Sequence, residues 1–159
     1  QTILLILFQI YFGSVYHYLG IIIGLFMLGL FSGAYFTTEK KFEQKSRNIK
    51  LLAAILSFEF LLTLLMLRYF DFNCDFFIQT FIFIHALLFG IIIGRIFTLV
   101  SFHPKKSVIN TSSSVYGLDM IGAALGAIII AAVIIPQFGI IMAVFILWLI
   151  NSFVYLAKI

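Results

Sequence analysis

Long apolar runs alternate with short polar breaks along the whole chain. Apolar residues dominate Thr2–Tyr16, Leu19–Thr37, Leu51–Tyr69, Phe76–Val100, Val115–Ile135 and Phe138–Ala157. Between them stand Gly13-Ser14 with Gly20, Glu39–Lys50, Asp71-Phe72-Asn73, Ser101–Ser114 and Pro136-Gln137-Phe138-Gly139, all rich in turn-forming or charged residues. A helix of about 20 residues crosses the roughly 30 Å of bilayer hydrocarbon, and there only a helix satisfies its own backbone. The pattern therefore predicts an all-α, polytopic transmembrane bundle of six helices, forming one domain over residues 1–159. The first run is short for a span at about 1.5 Å per residue. It fits a helix that starts before Gln1, so the chain reads as a fragment or half of a larger membrane protein. Gln1 itself lies in an apolar run with neither a basic leader nor a small-residue cleavage site, unlike a signal peptide.

Composition points the same way. Of the 159 residues, 64% are hydrophobic and 10% charged, and the mean hydropathy is +1.20, whereas a soluble domain runs about 45–50% apolar and about 25% charged. Six carboxylates, three histidines and one cysteine leave no Ser/His/Asp triad, no phosphate-binding glycine loop and no metal-ligand cluster to assemble. Gly24–Gly33 has a nucleotide-like glycine spacing, yet it sits in a membrane run and follows no strand. Cys74 is alone, which excludes an intrachain disulfide and any CxxC motif. No enzyme activity, cofactor or metal is expected.

The net charge of +4 reads as a topology signal rather than as a nucleic-acid footprint. With the amino end cytoplasmic, Lys40, Lys41, Lys45, Arg47, Lys50, Lys105, Lys106 and Lys158 lie inside with Arg95 nearby, and only Arg68 lies outside, beside Asp71 and Asp75. This positive-inside bias predicts cytoplasmic amino and carboxyl ends in a multi-pass protein of a cell membrane, of the bacterial inner-membrane kind.

Small residues recur at four-residue spacing in Gly20/Gly24, Gly29/Gly33, Gly90/Gly94 and Gly122/Gly126, with Ala123/Ala127 alongside. Such GxxxG spacing lets helix backbones approach closely where no hydrophobic effect drives association. Partners are then the lipid bilayer and other membrane subunits or a second copy, with no nucleic acid.

Charges within the apolar runs are costly and stand out. Counted from the cytoplasmic ends of their runs, Asp119 lies roughly 6 Å deep, Arg95 roughly 8 Å and Glu59 roughly 12 Å, which places the three in one layer. An Arg95–Asp119 ion pair locking the fourth helix to the fifth is the leading expectation. A cation or proton site with Glu59 and Asp119 facing a cavity is a second, and snorkelling of Arg95 to the surface a third. His85 lies roughly 14 Å from the outer end of its run. Since His17 and His103 stand at opposite boundaries, one chain cannot hold a b-type haem between its own histidines. A hydrogen-bonded structural role is expected for His85, with contact to a quinone or to a partner's haem as alternatives. Gln9 is expected to join helices by hydrogen bonding. Tyr16, Tyr18, Tyr35, Tyr69 and Trp148 fit membrane-interface or lipid-facing positions.

Two stretches carry a family likeness: Phe8-Gln9 through Tyr16-His17, Gly20, Phe26-Met27, Gly29 and Gly33, and Tyr116-Gly117-Leu118-Asp119 through Gly122-Ala123, Gly126, Pro136 and Gly139. Together they resemble the later membrane half of multi-spanning spermidine-synthase-like proteins, fusions of a major-facilitator-like membrane domain with an aminopropyltransferase domain. The resemblance implies a membrane scaffold in which Glu59 and Asp119 match acidic positions of the family. The nucleotide-type domain has no counterpart in this chain, so aminopropyl transfer attaches to none of its residues. Phe97-Thr98-Leu99 stands where the family tends to have Phe-Pro-Leu. These readings predict a non-catalytic membrane subunit or module that scaffolds or anchors partner proteins. The rivals are a transport module for a small, cationic solute using Glu59 and Asp119, and the membrane subunit of an electron-transfer complex resting on His85.

Overall fold

A computed structural model describes residues 2–13, 16–37, 45–69, 75–101 and 108–156. The segments 38–44 and 102–107, together with Asp71, Cys74 and Lys158, lie outside the described residues, as do the side chains of His17, Arg68 and Asp75. The described residues are helical almost throughout. They form α1 (Thr2–Phe12), α2 (Tyr16–Tyr35), α3 (Lys45–Tyr69), α4 (Asp75–Ser101), α5 (Val108–Ile128), a π-helical turn (Ile129–Ile134) and α6 (Ile135–Leu156). Four helical stretches, Tyr18–Tyr35, Arg47–Met66, Phe76–Ser101 and Ser113–Phe153, are long and apolar enough to cross a membrane.

Helix ends depart from the ends of the apolar runs. α3 already begins at Lys45 and α5 at Val108, so the polar stretches Lys45–Lys50 and Val108–Ser114 are helix rather than break. A helix that carries its own hydrogen bonds has no reason to end where hydrocarbon ends. Gly20 is likewise inside α2. The chain turns instead at Gly13, whose φ of 74° lies in the left-handed region and whose N–H bonds the Gln9 carbonyl at 3.0 Å, a common helix C-terminal arrangement. α1 has eleven residues, about 16 Å at 1.5 Å per residue, half the depth of the hydrocarbon.

The expected loop at Pro136–Gly139 is not a loop. Helical geometry runs through Pro136, Gln137 and Phe138, and only Gly139, with φ 77° and ψ 171°, leaves it. Proline removes a backbone donor and its ring crowds the carbonyl one turn back. The wider π turn immediately upstream, where the Ile135 N–H reaches back to the Ile130 carbonyl, accommodates this within an unbroken helix. The chain then reverses at Gly139. Ile130, Ile134 and Ile135 before it, and Ile140 and Leu147 after it, pack around buried Ala143 and Val144. Five helical stretches thus stand where six were expected, because the last two join into one that is broken at a single residue.

The tightest contact is the crossing of α2 and α4. A Cβ built on Gly29 would meet the carbonyl oxygen of Leu87 and sit 3.0 Å from the Gly90 Cα, and one on Gly94 would meet the backbone of Leu30. Phe26 faces Gly90 and Leu30 faces Gly94, four residues further on in each helix, so the two helices run parallel. The four glycines bring the backbones together and aim Cα–H groups at opposing carbonyls, a weak but repeated attraction. α3 runs antiparallel to α4, its Ile49, Leu52 and Leu56 packing with Ile92, Ile96 and Leu99. α6 is antiparallel to α3, where Asn151 Nδ2 donates to the Ala53 carbonyl at 2.9 Å and to Ser57 Oγ at 2.6 Å. α1 fills the wedge between α2 and α4 with fully buried Phe8, which contacts Phe12, Tyr18 and Phe83. Tyr18 is therefore part of this packing, not purely an interface residue.

Candidate functional site

The polar centre of the bundle is built by α3 and α4. His85 is 4% exposed and bonded through both ring nitrogens. Its Nδ1 lies 2.8 Å from Glu59 Oε2, and its Nε2 lies 2.8 Å from Thr63 Oγ1. Phe81 stacks on the imidazole at 5.3 Å between centroids, and Phe89 lies at 6.1 Å. Glu59 and Thr63 are four residues apart on α3, so they present adjacent polar groups on one helix face.

Counting donors decides the charge of this cluster. Thr63 has one hydroxyl proton, and it goes to the Glu59 main-chain carbonyl at 2.9 Å. The contact with His85 must therefore be made by Nε2–H donating to Thr63 Oγ1. One further proton lies between Nδ1 and Glu59 Oε2. On the carboxyl it makes an acid and a neutral imidazole; on the ring it makes a carboxylate and an imidazolium. Both arrangements have no net charge, the form in which a Glu–His pair is cheapest to bury in hydrocarbon. Axial ligation of a haem needs an unprotonated ring nitrogen free to bind iron, and Nε2 is instead occupied as a donor.

Beside this cluster lies a partly open cavity of about 430 Å³ bordered by residues of all the helices and of the π turn. Thr63 and His85 form part of one wall, with Phe26, Phe60 and Phe89 adjoining. α5 contributes Asp119 and the small residues Gly122, Ala123, Gly126 and Ala127 to the lining. Nothing lies within 4 Å of a Cβ built on Gly122 or Gly126. These two glycines, expected to seat a neighbouring helix, instead leave room for the cavity. Gly29, Gly33, Gly90 and Gly94 do the close packing.

The expected charged layer is rearranged. Arg95 and Asp119 form no ion pair in the structure, and Arg95 Nε is buried with no hydrogen-bond partner among the described residues. Glu59 meets His85 rather than either of them. Asp119 is exposed on α5, where it borders the cavity; a shared depth does not set the side of its helix on which a residue stands. Glu59 lies ten residues before Tyr69 and His85 ten residues after Asp75, equal heights on an antiparallel pair. Depths taken from the outer ends of both helices would have brought them together. Gln9 is exposed at the bundle surface, and no hydrogen bond of its side chain to another helix is present among the described residues.

No family model, curated protein or solved structure matches this chain.

Proposed function

We propose that the chain is a membrane-embedded module that holds a small solute within its bundle, as part of a transport or solute-binding protein. The observation that carries this reading is the 430 Å³ cavity lined by Thr63 and His85 of the polar cluster and by the Asp119 carboxylate, since ligand sites are typically apolar hollows of about 300–1,000 Å³ with a few placed polar groups. The motif around Asp119, which resembles that of spermidine-synthase-like membrane domains, supplies the α5 wall. The test is ligand-induced stabilisation in lipid nanodiscs across a chemically diverse set of small molecules. Saturable stabilisation that disappears in Gly126→Phe, whose ring fills the cavity, supports the reading. Stabilisation by no compound, or stabilisation indifferent to Gly126→Phe, refutes it.

The membrane arrangement belongs to the same proposal: six crossings in a cell membrane with cytoplasmic amino and carboxyl ends. It is supported by helix direction, because α2, α4 and α6 run the same way and the sequence following each contains Lys or Arg. An impermeant thiol reagent should label Cys74 in intact cells, and protection until permeabilisation would invert the topology. A second reading, a scaffold for other membrane proteins, is favoured by the exposure of the last helical stretch. Only 11% of Ser113–Phe153 is buried inside the bundle against 33% of Phe76–Ser101. Co-purification of stoichiometric membrane partners in mild detergent, lost on replacing exposed Leu118 or Leu125 with Trp, tests it.

A further inference from the structure

We infer that the solute is a lipophilic organic monocation whose charge is matched by Asp119. The inference rests on the cavity reading above and names the ligand class. Two independent observations set the charge. The hydrogen-bond count leaves the Glu59–His85 pair without net charge, so that wall attracts neither sign strongly. Asp119, also in the cavity lining, has no ion-pair partner among the described residues, and Arg95 is not part of the lining. Asp119 is exposed on α5 where it borders the cavity; a carboxylate within an apolar membrane run is costly, and a single bound positive charge offsets that cost.

The rest of the lining fits such a ligand. Phe60 and Phe89 meet edge to face at 5.4 Å and border the cavity together with Phe26. Aromatic faces attract organic cations through their ring quadrupole, most strongly where water is excluded. Met27 and Met120 add polarizable surface that adapts to an apolar body. The small residues of α5 leave the space that this body occupies. The Thr63 hydroxyl, already donating to its own helix, offers only acceptor capacity to the cavity, which again suits a positively polarised group.

Tetraphenylphosphonium and tetraphenylborate share shape and differ in the sign of their charge, so they isolate this term. Binding of each to protein-loaded nanodiscs, corrected for empty nanodiscs, should show saturable tetraphenylphosphonium binding and none for tetraphenylborate. Asp119→Asn should weaken the cation at least about tenfold, while Asp119→Glu retains it and Arg95→Gln does not weaken it. Tetraphenylborate binding as tightly as the cation, or full cation affinity in Asp119→Asn, overturns the inference. If Asp119→Asn does not fold, the comparison of the two ions on the wild-type protein decides alone. Stabilisation by neutral or anionic compounds that Gly126→Phe abolishes, with none from cations, overturns the ligand class and leaves the cavity reading standing. Stabilisation by no compound of any charge overturns both.

Discussion

Adding one methyl group at Gly33 should destabilise the bundle by about 2–3 kcal/mol, the upper part of the range for overpacking a close-packed contact. The new Cβ would meet the Ile91 carbonyl oxygen and sit 2.9 Å from its carbon and 3.0 Å from its Cα. All three atoms are backbone, so no side-chain rotation relieves the clash. Ordinary carbon contacts lie at about 3.5–4.0 Å, and α2 must therefore move away from α4 by about 1 Å. That movement loosens the contacts at Gly29, Gly90 and Gly94 together, because the four glycines share one crossing. Gly126→Ala is the control: its Cβ meets nothing within 4 Å, and alanine favours the helix over glycine by up to about 1 kcal/mol. Equilibrium unfolding in mixed micelles titrated with SDS, followed by helical circular dichroism, measures both. Equal losses for the two variants, or a Gly33→Ala protein within about 0.5 kcal/mol of wild type, would refute the parallel glycine crossing.

Other outcomes follow from the same contacts. Glu59→Ala and His85→Ala should each cost about 3 kcal/mol, since each leaves the other group buried and unpaired; the double variant should cost clearly less than the sum in a double-mutant cycle, and strict additivity would mean that the pair is not formed. Asn151→Ala should cost about 1 kcal/mol by removing two bonds from α6 to α3, and Ser57→Ala should not add the full amount to it. Gly139→Ala should cost about 1–3 kcal/mol from backbone conformation alone, since φ 77° with ψ 171° is a region essentially restricted to glycine and no atom crowds its Cβ, and Gly139→Asn should be no milder; both are read from the same SDS titration.

The all-helical character and the positions of the apolar stretches were legible in the amino-acid order, because hydrocarbon imposes one local solution on any backbone that enters it. The four close-packed glycines were legible too, as spacing. Spacing alone does not say which small face finds a neighbour, however: Gly29 and Gly33 meet Gly90 and Gly94, while the equally spaced Gly122 and Gly126 border empty space. Helix direction and register decide that, and they are properties of the assembled bundle. The same holds for the charged residues. Rise per residue sets depth along one helix, and similar depth left Arg95 and Asp119 unpaired. Azimuth is not measured at all. Only the antiparallel seating of α3 on α4 brought Glu59 and Thr63 to opposite nitrogens of His85, and only the reversal at Gly139, where Pro136 itself remains helical, let α5 and α6 both border the cavity.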